Sequence, residues 1–146
     1  MRLYRYASSS GGFEPRLAIA TDGAPVDLLK AWDDVTGTRL APETAQFLVS
    51  TAVLIERGPE LWTEVRDVAR AAASLPDLLV PESERGFRWL CPMDRVASLK
   101  DFLAFEDHVK RGAQRRGIDV PDYWYEAPVY YKGNHRAVIG PDATCP

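Results

Sequence analysis

Pro76, Pro81, Gly86 and Pro92 crowd the stretch from Leu75 to Pro92 among charged residues, and no long helix or strand can run through it. Each proline fixes φ and removes a backbone donor, so the chain is divided here whatever its other segments do. The division predicts an N-terminal domain over residues 1–75, a connector over 76–97 and a second folding region over 98–146.

Upstream of the division, Arg2 to Ala7 sets Leu3 among tyrosines, and Arg16 to Thr21 is a second β-rich run. The turn signal Asp22-Gly23 then leads into Val26 to Leu29, and the three runs together predict a small antiparallel sheet. Pro42 opens a predicted helix with Ala45, Leu48, Val49, Ala52 and Ile55 at helical spacing, stopped by Arg57-Gly58. Pro59 starts another, with Leu61, Trp62, Val65, Val68, Ala69 and Ala72 on one face up to Leu75-Pro76. The expectation is a helical hairpin beside the sheet.

Downstream, Ser98 offers an N-cap oxygen with Asp101 three residues on, and Gly112 or Gly117 can end the helix so begun. Seven helical residues rotate a side chain by about 700 degrees, so Asp101 and His108 differ by only about 20 degrees in direction and stand roughly 10 Å apart along the axis. Leu99, Phe102, Phe105 and Val109 form the buried stripe of that helix, with the acid and the imidazole at its border, where a cleft can form. The two are too far apart to hydrogen-bond each other. They suit a division of labour in which Asp101 gives an oxygen to Mg²⁺ or Ca²⁺ and His108 acts on a water or substrate proton. They equally suit routine roles, as the capping partner of Ser98 and as a solvated helix residue. One carboxylate is also too few for a hard cation. Beyond Pro121 and Pro128, a Tyr-rich strand is expected at Val129 to Tyr131 and another at Ala137 to Ile139, with His135 in the loop between them.

Composition narrows the function classes. A content of 46% apolar residues, with five Phe, six Tyr and four Trp, supplies a folded core. A formal charge of -3 gives no electrostatic reason to bind nucleic acid or an anionic membrane. The one basic run, Lys110, Arg111, Arg115 and Arg116, complements the dipole at a helix C-terminus. Arg2 and Arg5 lead into Ser8, Ser9, Ser10, Gly11 and Gly12 instead of an apolar signal region, and no apolar run approaches the roughly 18 residues of a membrane span. Cys91 and Cys145 lie far apart, each before a proline, and form neither a disulfide framework nor a metal knuckle. A cytoplasmic location is expected.

Several segments carry a likeness to a known family. Ser98-Leu-Lys-Asp-Phe-Leu-Ala-Phe-Glu-Asp-His108, the Arg115-Arg116-Gly117 turn, Asp122-Tyr-Trp-Tyr-Glu126 and Pro128-Val-Tyr-Tyr-Lys-Gly133 running into Ala137-Val-Ile-Gly-Pro141 resemble the fumarylacetoacetate hydrolase family. The opening Met1 to Leu28 is similar to the small β-containing N-terminal domain of its longer members. The resemblance implies an α+β fold, with a small N-terminal β-sheet domain with two helices followed by the beginning of a β-rich fumarylacetoacetase-like catalytic domain. It further implies a homodimer and a Mg²⁺ or Ca²⁺ ion that chelates a keto-acid or diketo-acid substrate and polarises it for carbon-carbon bond hydrolysis. Relatives use the same site for decarboxylation or isomerisation. On this resemblance Asp101 matches a metal-binding carboxylate and His108 the histidine that activates water. Tyr131 matches a substrate-contacting tyrosine, and Lys132 a lysine placed near the pocket.

Two departures limit what the resemblance implies. Leu103 stands where the best-known hydrolases carry a substrate-touching tyrosine. The family's Glu-x-Glu pair and later Asp, which supply most metal ligands, belong after the Ala-Val-Ile-Gly-Pro segment. The Glu-x-Glu present, Glu82 and Glu84, falls in the connector instead and reads as a solvated loop feature. The expectation is therefore a portion of an enzyme, incomplete on its own. The alternative is a non-catalytic interaction module that binds a partner through an unpaired strand edge at Ala137 to Ile139.

Overall fold

The structure, a computed structural model, describes residues 1–145. It divides into two compact units, one of Met1–Arg95 with the chain from Ile139 onward, the other of Val96–Val138. The first is a small mixed α+β domain built on a four-stranded antiparallel sheet.

Alternation along strand β1 (Arg2–Ala7) gives it two different faces. Strand β2 (Arg16–Ala20) pairs with it antiparallel, Leu3 opposite Ile19 and Arg5 opposite Leu17. Leu3, Leu17 and Ile19 thus share one side of the sheet, where they join the main apolar core. Tyr4, Tyr6 and Ala18 take the other side and pack with Val80, Phe87 and Trp89. Strands β3 (Val26–Asp27) and β4 (Arg88–Trp89) complete the order β3-β2-β1-β4.

The main core is closed by helices. Helix α1 (Leu28–Thr36) was not anticipated from the sequence, where Val26 to Leu29 reads as strand throughout. The strand stops after Asp27 because its carboxylate accepts the Leu29 and Lys30 N–H groups at 3.0 and 3.2 Å, which caps a helix. Leu28, Ala31 and Trp32 then face inward. The helix expected from Pro42 to Arg57 is broken: a 3-10 turn covers Ala45–Leu48, and α2 spans only Thr51–Glu56. Ser50 interrupts it with an extended backbone, and its hydroxyl accepts the Val53 N–H while donating to Asp94. Gly58, at φ 87, makes the turn into α3 (Pro59–Ala72), which buries Val65, Val68, Ala69 and Ala72 as its spacing predicts. Helix α3 packs against α1.

The stretch 76–97, read from its prolines as a connector, is folded onto the first unit as far as Arg95. Leu78 and Val80 are buried, the Val80 N–H donates to the Pro25 carbonyl at 2.9 Å, and Trp89 reaches the sheet. Apolar residues set between the prolines anchor it piecewise without needing a long element. Glu84 of this stretch accepts from the Ser10 N–H at 3.1 Å, so it ties two loops together.

One buried polar cluster sits at the junction of the sheet and α1. Asp27 is 0% exposed. Its Oδ2 accepts from the Tyr6 hydroxyl at 2.6 Å and from Arg16 Nη1 at 2.7 Å, while Oδ1 caps α1. Burial and the facing carboxylate push the Tyr6 phenol far above its usual range, so it remains a donor.

The second unit is a two-stranded ribbon with helices. Strand β5 (Leu99–Phe102) pairs antiparallel with β6 (Tyr130–Gly133), and helices α4 (Glu106–Arg116) and α5 (Tyr123–Glu126) lie between them in sequence. This overturns the expected helix beginning at Ser98. Leu99 to Phe102 is extended because a strand partner and the Phe102–Tyr130 ring contact, 5.1 Å between centroids, reward pairing over helical spacing. Asp101 and His108 therefore do not share a helix edge: one is on β5, the other in α4. The strand expected at Ala137 to Ile139 is also absent; His135–Ala137 form a 3-10 turn capped by the Asn134 side chain. No helix among the described residues is long and apolar enough to cross a membrane.

Removing the Asp27 carboxylate strands a guanidinium and a phenol in the interior, so Asp27→Ala should lower unfolding free energy by about 3–5 kcal/mol and Tyr6→Phe by about 1–2 kcal/mol in urea titrations. Equal, small losses for both would show that the cluster is not what joins sheet and helix. Asp94 gives a pH test. Burial raises its pKa, but bonds from the Ser50 hydroxyl and the Ala52 N–H outweigh burial and hold it below the ordinary carboxylate value. A depressed folded pKa stabilises above the unfolded value and is lost as pH falls through the folded one. Asp94→Ala should thus cost about 1 kcal/mol at neutral pH, and the difference should close only below the usual carboxylate range. A difference that closes near pH 6 would contradict this.

Candidate functional site

Register decides which side chains the ribbon brings together. Leu99 lies opposite Gly133, Lys100 opposite Lys132, Asp101 opposite Tyr131 and Phe102 opposite Tyr130. Directly opposed residues of an antiparallel pair point to the same face, and successive residues to opposite faces. One face therefore carries Leu99, Asp101 and Tyr131, with the Leu99 side chain lying over Gly133, where an added Cβ would meet it at 2.8 Å. The other face carries Lys100, Phe102, Tyr130 and Lys132.

Two of the four residues singled out from the sequence, Asp101 and Tyr131, are thus cross-strand neighbours on one face. Both are exposed, Tyr131 at 70%. Lys132 points to the opposite face, directly across from Lys100, a like-charge pair that only full hydration makes tolerable. Lys100 Nζ sits 5.1 Å from the Tyr130 ring centroid, a cation–π contact on that second face. His108 lies in the first turn of α4, exposed, and its imidazole makes no hydrogen bond among the described residues. The segment 103–105 separates β5 from α4, which starts after Phe105 without a side-chain cap.

A second polar cluster escaped the sequence reading. Glu106 Oε1 receives Lys110 Nζ at 2.9 Å and the Tyr125 hydroxyl at 3.0 Å. Hydrogen bonds from Lys110 and Tyr125 hold Glu106 below its ordinary pKa, and the bond to Glu106 raises that of Tyr125. The Glu106–Lys110 spacing of four residues was a visible signal. Tyr125 was not, since it comes from a different helix. Nearby, the Trp124 indole donates to the Leu103 carbonyl at 2.9 Å. Phe102, Leu103, Trp124, Tyr125 and Pro128 line a shallow cleft of about 320 Å³.

The donor set does not by itself make a metal centre. Among the described residues no group of three or more His, Cys, Asp or Glu side chains converges. The face bearing Asp101 offers one carboxylate and one phenol, whereas a hard cation takes several oxygens. What the face can do alone is accept and donate hydrogen bonds to a polar ligand.

The unit that carries these residues has almost no interior. Ala113 is the one buried residue among 96–138, while Phe105 is 79% exposed and Phe102, Tyr123, Tyr125 and Ile118 are exposed with it. Exposed apolar surface of this kind is found at interaction sites and ligand-binding grooves. Amide hydrogens of β5, β6 and α4 should exchange at least about a hundredfold faster than those of β1, β2 and α3, because local opening exposes little further apolar surface. Comparable protection in both units, read by exchange mass spectrometry, would contradict this account.

Compared with known proteins, the chain matches no family model and no curated sequence.

Proposed function

We propose that this chain is the front portion of a fumarylacetoacetate-hydrolase-like, metal-dependent enzyme acting on the carbon-carbon bond of a keto-acid or diketo-acid, and incomplete alone. The observation that carries the reading is the pairing of Asp101 with Tyr131 across the ribbon. The family resemblance points to these two residues separately, from segments far apart in sequence, and the strand register makes them neighbours.

In this reading Asp101 is one contributor to a Mg²⁺ or Ca²⁺ ion held mainly by carboxylates from further polypeptide. Tyr131 contacts the substrate and His108 is the water-activating base. The cleft lined by Leu103 and Trp124 is apolar where the best-known hydrolases place a tyrosine, which favours a substrate other than their aromatic diketo-acid. Lys132 is the least supported assignment, because its side chain leaves the face that Asp101 and Tyr131 share. A homodimer and a cytoplasmic location belong to the same proposal, as does the possibility of decarboxylase or isomerase chemistry at the same groups. The exposed aromatic surface of residues 96–138 favours a second reading, a non-catalytic module that uses this surface to bind a partner. The edge at Ala137 to Ile139 no longer supports that second reading, since it is not a strand.

Metal titration separates the two. The chain alone should bind Mg²⁺ or Mn²⁺ no more tightly than about millimolar by calorimetry, because one carboxylate cannot replace a hydration shell. Co-expressed with a segment carrying Glu-x-Glu and a later Asp, it should bind Mn²⁺ tightly, and Asp101→Asn should weaken that binding by about tenfold. Tight binding by the chain alone would overturn its incompleteness, and binding indifferent to Asp101 would sink the enzyme reading.

A further inference from the structure

Helix α1 ends on charges of the unfavourable sign. The C-terminal end of a helix carries partial negative charge and favours cations, yet the last turn of α1 holds Asp33 and Asp34 and no basic residue. Asp34 is exposed, whereas Asp33 is half-buried. Asp33 follows Leu29 by four residues, so the two side chains stand on one face of the helix. Among the described residues the Asp33 carboxylate forms neither an ion pair nor a hydrogen bond. A carboxylate left so beside the helix carbonyls attracts a cation that the chain itself does not supply.

That carboxylate lines a cavity of about 370 Å³ in the first unit. Leu29 and Asp33 border it from α1, and Ala45 and Leu48 from the 3-10 turn, where a spacing of three residues sets them on one side. Gly37, at φ 65, ends the helix, and the chain beyond it brings Arg39 and Leu40 to the same cavity. Ala45 and Leu48 are buried, and Leu29 and Leu40 pack against the main core. All lining residues other than Asp33 and Arg39 are apolar. The exposed Arg39 guanidinium also has no ion pair or hydrogen bond among the described residues, so the two opposite charges at this cavity do not neutralise each other.

We propose that this cavity binds a free α-amino acid with an aliphatic side chain. Its ammonium group meets Asp33 at the end of α1, where carboxylate and helix dipole act together. Its carboxylate meets Arg39, and its side chain displaces water from the surface of Leu29, Leu40, Ala45 and Leu48. An apolar lining with a few placed polar groups, at a volume within the roughly 300–1,000 Å³ of small-molecule sites, is the general form of such a pocket. An apolar amine would leave the guanidinium unused, and an apolar acid would leave Asp33 without a cation. The site lies in the first unit and does not rest on the metal-enzyme reading.

Titration of the full, ¹⁵N-labelled chain with L-leucine, followed by two-dimensional NMR, tests the proposal. The amide signals of Leu29, Asp33, Leu40 and Leu48 should shift saturably. Two analogues each lack one charged group: 3-methylbutylamine has no carboxylate and 4-methylpentanoate has no amine. Each should bind about tenfold more weakly than leucine, as should glycine, which keeps both charges without the apolar body. Asp33→Asn should weaken leucine and the amine by about tenfold and leave the acid unchanged, while Arg39→Gln should do the reverse for the two analogues. The same spectra show that both variants are folded. The absence of saturable shifts, or saturable shifts confined to other residues, would overturn the proposal. So would equal affinity for leucine and 4-methylpentanoate, which assigns the cavity to apolar acids, or for leucine and 3-methylbutylamine, which assigns it to apolar amines. Leucine affinity unchanged by either substitution would overturn it as well.

Discussion

Asp27 has no access to water, and its two oxygens take four donors: the Leu29 and Lys30 N–H groups, the Tyr6 hydroxyl and the Arg16 guanidinium. A buried carboxylate is costly unless every lone pair is used, and here the users come from two strands and a helix. Satisfying that one charge therefore fixes where β3 ends, where α1 begins and how the sheet meets the helices. The apolar core supplies the larger stabilisation, since Leu17, Ile19, Leu28, Leu48 and Leu54 are each fully or nearly fully buried at roughly 1.5–3 kcal/mol apiece. The carboxylate supplies the geometry, because apolar packing alone would accept several orientations of α1.

The unit of residues 96–138 follows a different logic. Its hydrogen bonds are local, a short ladder and two short helices, and it encloses one alanine. A two-stranded ribbon is marginal without further strands or a packed helix face. Its aromatic residues Phe102, Phe105, Tyr123, Tyr125, Tyr130 and Tyr131 nevertheless remain exposed. The same exposure accounts for both functional readings, because an enzyme portion awaiting the rest of its domain and a partner-binding surface present the same apolar face.

Much of the first unit could be read from local pattern. β1, β2 and the turn after Thr21 follow from alternation and Asp22-Gly23, while α3 follows from Pro59 and the spacing of Val65, Val68, Ala69 and Ala72. Helix α1 could have been read too, since Asp27 followed by Leu28, Ala31 and Trp32 is a capped amphipathic pattern overlooked in favour of a β run. The candidate site was legible only by residue type. Asp101, His108 and Tyr131 were singled out by chemical type and all three are exposed, but the arrangement inferred for Asp101 and His108, a shared helix edge, is not the one formed.

Period and punctuation belong to a single segment, so the sequence by itself determined the breaks at the prolines, the turn at Gly58, the buried stripe of α3 and the alternation of β1. Pairing belongs to two segments at once. Leu99 to Phe102 has apolar residues at both a strand-compatible and a helix-compatible spacing, and only the presence of Tyr130 to Gly133 alongside decides between them. Energies that depend on a partner cannot be read until the partner's position is known, and that position is what the folded chain alone supplies.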